Sequence, residues 1–267
     1  MQTPTIILSI AGSDPSGGAG IQADIKTISA LGGYAAAAIT AVTVQNTRGV
    51  TSVDYLPGPL VAAQTEAVLG DLHPAAVKIG MTGRADIIAN LATCLSKYPD
   101  TPVVLDPVML SSSGHPLMEP DATEALRTEL FPRCRLVTPN LNEASFLLGK
   151  NLHTLQDMEQ AATELSQHYG CAFLLKGGHL EGDRMTDVLF DGQTHHFSSA
   201  RINTSNLHGT GCTLSSAIAT FLGQGNSLPE AVRLAKAYMD KTIKAASQWE
   251  IGSGYGPLCH FPPDLKL

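Results

Sequence analysis

The chain has 267 residues, 43% of them hydrophobic and only 15% charged, which is enough apolar surface for one large core and argues against disorder. A formal net charge of -7 excludes an extended nucleic-acid surface, because phosphate backbones are held by clustered Lys and Arg, but it leaves room for a local site that takes a small anion. The five cysteines, Cys94, Cys134, Cys171, Cys212 and Cys259, are scattered without a C-x-x-C pair, as reduced thiols in a cytosol are. No charged leader precedes an apolar core, and the longest apolar-rich run, residues 35–44, is too short to span a bilayer. The expectation is one cytoplasmic α/β domain over residues 1–267, with no membrane and no nucleic-acid partner.

In chain order, residues 5–10 form a short β-branched run that predicts a buried strand, ending in Gly12-Ser13-Asp14-Pro15-Ser16-Gly17-Gly18-Ala19-Gly20. Ile21, Ile25, Ile28 and Leu31 then repeat at helix spacing until Gly32-Gly33, and residues 34–44 restart an extended run, giving a βαβ unit with a Gly-rich first loop. That loop matches neither G-x-x-x-x-G-K-[ST] nor G-x-G-x-x-G, and a flexible connection is its ordinary alternative. Asp24, one turn into the helix, is either solvated or faces the crevice. Gln45 and Asn46 follow the second strand, where a neutral amide is placed to read the edge of a heterocycle or simply to make a turn.

The alternation continues with helices over 60–72 and 87–98 and strands over 76–79 and 103–105, which end at Gly80-Met81 and Asp106-Pro107. A carboxylate at the carboxyl end of a parallel strand commonly serves a metal–phosphate centre, although an Asp-Pro turn is the plainer reading of the same residues. Residues 108–120 include Ser111-Ser112-Ser113-Gly114-His115-Pro116, long enough for a mobile flap or an idle loop. A helix over 122–130 leads to a strand over 136–138 and then to Asn140 and Glu143, which open a helix toward the same pole as Asp106; an acid there also serves the helix dipole. Thr154 predicts the cap of a helix in which Met158, Ala161, Ala162, Leu165 and Tyr169 share a face, closed by Gly170. Residues 172–175 predict a strand that delivers Lys176-Gly177-Gly178-His179, a lysine suited to reach a phosphate.

Asp191-Gly192, between runs 185–190 and 194–197, predicts a hairpin that adds antiparallel strands to one edge, with His195 and His196 as ordinary strand residues. The nine histidines show no metal-ligand spacing, so no zinc site is expected. Ser227 and Glu230 read as a capping box for a final helix reaching about Trp249, followed by a glycine-spaced tail, residues 252–261, that suits wrapping a ligand or a partner subunit.

The chain is organised around His208-Gly209-Thr210-Gly211-Cys212-Thr213, behind which Leu214, Ala217, Ile218, Phe221 and Leu222 repeat at helix spacing. Glycines let the backbone approach a ligand, and the first turn of a helix offers unpaired N–H groups and the positive end of its dipole, so the pattern outlines an anion site. Cys212 falls at the same spot, where a thiol tends to a lowered pKa and acts as base or nucleophile.

Taken together, Ala11–Asp24, Ala41–Thr47, Lys78–Met81, Asp106–Met109, Thr138–Glu143, Leu175–His179 and His208–Ser215, in this order, resemble the ribokinase-like kinases and closely the hydroxymethylpyrimidine/phosphomethylpyrimidine kinases of thiamine biosynthesis. The resemblance implies a three-layer α/β/α fold, a mostly parallel central sheet with an antiparallel edge hairpin, a homodimer, ATP as co-substrate with Mg²⁺, and phosphoryl transfer to a hydroxymethylpyrimidine and then to its monophosphate. Carried over by position, Gln45 hydrogen-bonds the aminopyrimidine, and Asp24, Gly12, Met81 and Val108 line its pocket. Asp106 and Glu143 position the metal; Lys176, Thr138, Asn140 and Thr210 serve the nucleotide, with Lys236 a weaker candidate; Gly209, Thr210, Gly211, Cys212 and Lys176 form the catalytic set. Much of the wider superfamily resembles a G-A-G-D pattern where this chain has Cys212. Some vitamin B6 kinases share the G-T-G-C turn, so a pyridoxal/pyridoxine kinase is the nearest rival, while Ser111-Ser112-Ser113 in the flap and Val44-Gln45-Asn46-Thr47 favour the pyrimidine. A non-catalytic pyrimidine sensor is the alternative of another class, and it has no use for a metal–triphosphate apparatus.

Overall fold

The computed structural model describes residues 3–110, 117–178 and 184–265; the expected flap segment 111–116 and His179 lie outside them. Strands β1 (Ile6–Ser13), β2 (Tyr34–Asn46), β3 (Gly49–Tyr55), β4 (Ala76–Ile79), β5 (Val103–Leu105), β6 (Leu136–Val137), β7 (Ala172–Leu175), β8 (Arg184–Phe190) and β9 (Thr194–Ala200) form one sheet in the order β3-β2-β1-β4-β5-β6-β7-β8-β9. The six strands from β2 to β7 in that order are parallel. Antiparallel strands close both edges, β3 against β2 and β8–β9 against β7. One edge hairpin was expected, around Asp191-Gly192. The second, at β3, comes from residues whose Asn46-Thr47 pair reads as a turn and whose short, half-polar strand carries little apolar signal.

Alternation along the strands sorts side chains onto two faces. Leu8, Ile10, Val77, Leu105 and Phe173 pack beneath α2 (Gly58–Leu72), α3 (Ala85–Leu95), α4 (Pro120–Ala125), α5 (Leu141–Leu148) and α6 (Leu155–Tyr169). Their sequence neighbours Ile7, Val104, Leu136 and Leu174 point the other way, onto α1 (Gly20–Ala30), α7 (Thr210–Gly223) and α8 (Leu228–Ala246). The result is the expected three-layer arrangement. The chain leaves β1 to one side, through α1 to β2, and returns to β4 on the other side of β1, so the order reverses between β1 and β4. In open α/β sheets the crevice at such a reversal, outside the carboxyl ends of the strands, is where ligands sit.

Local capping separates two expectations. Thr154 Oγ1 accepts from the Asp157 N–H and Asp157 accepts from the Thr154 N–H, a complete capping box for α6. At α8 the box is not formed: Ser227 makes no cap hydrogen bond, and Glu230 instead holds Arg233 on the exposed face. A bidentate guanidinium partner outcompetes a single backbone N–H for that carboxylate. Thr154→Ala should therefore lower stability by about 1 kcal/mol in urea unfolding, whereas Ser227→Ala should change it by less than about 0.5 kcal/mol.

Candidate active site

The carboxyl ends of β1, β4, β5, β6 and β7 deliver Gly12, Met81, Asp106, Asn140 and Lys176 to one pole of the sheet. Facing them is the start of α7. Gly209, its N-cap, has φ +85°, and a Cβ there would overlap the Gly18 carbonyl oxygen, so only glycine lets this loop lie against the β1–α1 loop. Gly211 approaches the opposite wall: a Cβ would stand 2.8 Å from Asp106 Oδ2 and 3.4 Å from Lys176 Nζ. The first turn of α7 thus faces Asp106 and Lys176, and the first turn of a helix carries N–H groups without intrahelical partners.

Lys176 Nζ is 2.7 Å from Asp106 Oδ1, with 17% and 3% of the two side chains exposed. Burial works against the ammonium, yet Asp106 and Glu143 hold its pKa above the ordinary lysine value. Glu143 forms a capping box with Asn140, accepting the Asn140 N–H at 2.7 Å while Asn140 Oδ1 accepts the Glu143 N–H at 2.9 Å. The helix-start role and the metal role expected for this acid are therefore compatible. Burial, with the Asp106 charge adding to it, pushes the Glu143 carboxyl up to about 7, against the pull of Lys176. Two acids thus share one ammonium, an excess of negative charge that suits a divalent cation. Among the described residues no three His, Cys, Asp or Glu gather into a metal cage. Mg²⁺ needs none, since it is usually held by one or two carboxylates together with water and substrate oxygens.

Two expected nucleotide contacts stand behind the site. Thr138 is fully buried and gives its hydroxyl proton to Asp106 Oδ1 at 3.1 Å or to the Leu105 carbonyl at 3.4 Å, so it orients the carboxylate and does not reach a phosphate. Lys236 pairs with Asp187 at 2.8 Å, and Asp187 Oδ1 accepts the Gly177 N–H at 2.8 Å. That pair braces the turn after Lys176 from behind.

Asp24 neither faces solvent nor opens to the crevice. It is fully buried, and Lys78 Nζ lies 2.9 and 2.7 Å from its two carboxylate oxygens, with Ser9 and Ser216 donating at 2.5 and 2.7 Å. Four donor contacts saturate the carboxylate, leaving it no role as a direct pocket contact. Lys78 was not foreseen, although a lone lysine inside the apolar run 76–79 is the signal that could have found it. Burial disfavours its ammonium, but Asp24 and the Cys212 sulfur hold its pKa above the usual value. The Cys212 thiol departs from expectation in the other direction. Burial pushes it up to about 11, outweighing Lys78 and a hydrogen bond from the Gly20 N–H, both of which favour thiolate.

On the far side of the loop, a Cβ at Gly12 would touch the end of Met81 at 2.6 Å, and Met81 packs with Ala41, Leu117 and Val108. Gly12, Met81 and Val108 therefore belong to one apolar cluster beside the loop. Gln45 lies in β2, not after it, with its amide between Thr43 and His208. His208 and Asp14, joined at 2.8 Å, were not among the expected site residues.

The start of α7 and the Lys176–Asp106 pair meet at the carboxyl edge of a three-layer α/β/α sheet, the fold of the ribokinase-like kinases. The sequence model of the phosphomethylpyrimidine kinase family matches residues 14–259. Over 258 residues the chain is 51% identical to the hydroxymethylpyrimidine/phosphomethylpyrimidine kinase of Rhizobium meliloti, covering 96% of this chain and 97% of that one. The crystal structure of phosphomethylpyrimidine kinase from Clostridium difficile superposes with a TM-score of 0.78 at 42% identity, over 88% of this chain and 97% of the other. Pyridoxal kinase from Staphylococcus aureus, in complex with AMP-PCP and pyridoxal, superposes with a TM-score of 0.88 at 34% identity, over 98% and 96%. The chain belongs to the phosphomethylpyrimidine kinase family.

Breaking the buried Lys78–Asp24 pair from one side leaves a carboxylate without its cation. Lys78→Met should cost about 3–5 kcal/mol in denaturant unfolding, and adding Asp24→Asn should restore part of that loss.

Proposed function

We propose that this chain transfers the γ-phosphoryl group of ATP to the hydroxymethyl group of 4-amino-5-hydroxymethyl-2-methylpyrimidine, and then to the monophosphate so formed, in thiamine biosynthesis, as one kinase domain over residues 1–267. The observation that carries this reading is the close approach of Gly211 to Asp106 and Lys176, which brings a helix N-terminus, a carboxylate and its paired lysine together at one pole of the sheet. The names of its relatives supply the substrate, and the ATP analogue bound by a structural relative supports the co-substrate.

In this scheme the alcohol sits between the apolar wall of Gly12, Met81 and Val108 and the Gln45 amide, with its oxygen toward α7. The N–H groups of Gly211 and Cys212 face the equatorial oxygens of the phosphoryl group in flight, where charge is greatest in a loose transition state. Lys176 follows the same charge from the other side, and Asn140 supports the nucleotide beside it. Asp106, aimed by Thr138, and Glu143 would hold Mg²⁺ directly or through water; bound there it would neutralise phosphate charge. Cys212 takes the proton of the alcohol. At neutral pH its thiol is protonated, so this step draws on the thiolate fraction that Lys78 and the Gly20 N–H favour.

The reading includes a cytoplasmic location; among the described residues no helix is long and apolar enough to cross a membrane. A homodimer is supported by Val42 and Val44, which stand half-exposed on the outward face of the β2–β3 hairpin.

A coupled ADP-release assay offering hydroxymethylpyrimidine, its monophosphate, pyridoxal and pyridoxine side by side should give turnover on the first two. Preference for pyridoxal would move the chain to the vitamin B6 kinases, and binding without ADP release would make it a sensor. Lys176→Ala should lower kcat/KM by roughly 10²–10³-fold. Cys212→Ala should retain slow turnover, reduced roughly 10²–10⁴-fold. Because the base must be deprotonated and its pKa lies near 11, wild-type kcat should climb as pH rises above neutrality; a normal, equally pH-dependent rate in Cys212→Ala would remove the thiol from the mechanism.

A further inference from the structure

The protons around Gln45 admit only one consistent arrangement. Thr43 Oγ1 has a single proton and lies 2.9 Å from the Ser13 carbonyl oxygen and 3.2 Å from Gln45 Oε1, both of which can only accept. His208 Nε2 lies 2.8 Å from Asp14 Oδ2 and 3.3 Å from Gln45 Nε2. Asp14 also accepts from the Ser16 N–H, the Ser16 hydroxyl and the Ala19 N–H. Burial opposes its charge, but the hydrogen bonds from His208 and Ser16 win and hold the carboxyl below the usual range. An ionised carboxylate cannot donate, so the proton between Asp14 and His208 belongs to Nε2.

With the amide nitrogen of Gln45 turned to His208, two N–H groups would face each other while two oxygens compete for the one Thr43 proton. Half a turn of the amide, which exchanges its O and N without moving other heavy atoms, removes both conflicts. The His208 Nε2–H is then shared by Asp14 and Gln45 Oε1, the Gln45 amide donates to Thr43 Oγ1, and Thr43 donates to Ser13. A register shift between β2 and β3 at Val44/Gln45 sits at the same point, where such irregularities re-aim side chains.

Resting on the reading that Gln45 faces the pyrimidine, we propose that Asp14, His208 and Thr43 are positioning residues that lock the Gln45 amide with its oxygen toward His208, and so set the donor–acceptor order the pocket presents. One amide N–H and one oxygen lone pair remain, side by side. They complement a ring nitrogen next to an amino group. A 4-oxo pyrimidine offers the reverse order, N–H next to C=O, and binds only if the amide turns back. The lock therefore selects the amino heterocycle over its oxo counterpart.

The test compares kcat/KM for 4-amino-5-hydroxymethyl-2-methylpyrimidine and its 4-oxo analogue in the full-length enzyme. Wild type should favour the amino compound. His208→Phe keeps a ring against Gly18 but loses Nε2, and Thr43→Val cuts the other arm of the lock without touching the His208 loop. Each should lower the amino/oxo ratio by at least about tenfold, chiefly through KM for the pyrimidine. In ¹⁵N-resolved NMR, His208 Nε2 should carry a proton around neutral pH. An unprotonated Nε2 overturns the lock, as does an unchanged ratio in both variants when wild type discriminates. If wild type phosphorylates neither pyrimidine, the functional reading fails instead, and the NMR measurement alone decides the state of His208.

Discussion

Two buried ion pairs, Lys78–Asp24 and Lys176–Asp106, underlie the start of α7, and the site depends on both staying neutral in sum. An isolated buried charge of either sign would be costly, and would also repel or trap a substrate that itself brings several charges. Paired, the four groups leave the start of α7 and the further carboxylate of Glu143 as the uncompensated features of this pole.

The same pairs explain why the glycines fall where they do. Gly209 must lie on the β1–α1 loop and Gly211 must lie on Asp106, so the turn is clamped between strands that are far apart in sequence and adjacent at the order reversal. The clamp brings the Cys212 sulfur within the influence of both lysines and of the Gly20 N–H. A helix N-terminus alone would lower the thiol pKa. Here the dry packing that creates the clamp raises it more, so the arrangement that brings the helix start onto Asp106 also makes the thiol reluctant to ionise.

Much of this was legible in the sequence, because strand ends and glycine turns are local signals. The β1–α1 loop, Asp106, Glu143, Lys176 and the α7 turn were each visible from a short apolar run followed by a break, and parallel topology then required them to converge. What was not legible depends on pairs distant in sequence. Asp24 and Lys78 are 54 residues apart and Asp14 and His208 are 194 apart, so no window shows that they pair. Thr138 and Lys236 have the residue types of phosphate ligands, and only their partners Asp106 and Asp187 reveal them as supports. β3 was missed because an edge strand with one exposed face carries half the apolar signal of a central one.

Specificity within this fold follows from the same distinction. Pyrimidine and pyridoxal kinases alike share the chain's architecture, so the sheet by itself does not choose between the two rings. The choice of ring has to be made where the architecture is indifferent, by side chains on the substrate side of the α7 loop. Gly12, Met81 and Val108 shape that space but distinguish only size. On the proposed function, Gln45 is a group there that can read an order of donors and acceptors, and only while its own orientation is fixed. His208 belongs to the phosphate loop by its backbone and to Gln45 by its ring, so the residue that begins the anion site also constrains the group that reads the acceptor. On the proposed function, a substitution that loosened one would therefore be felt by the other.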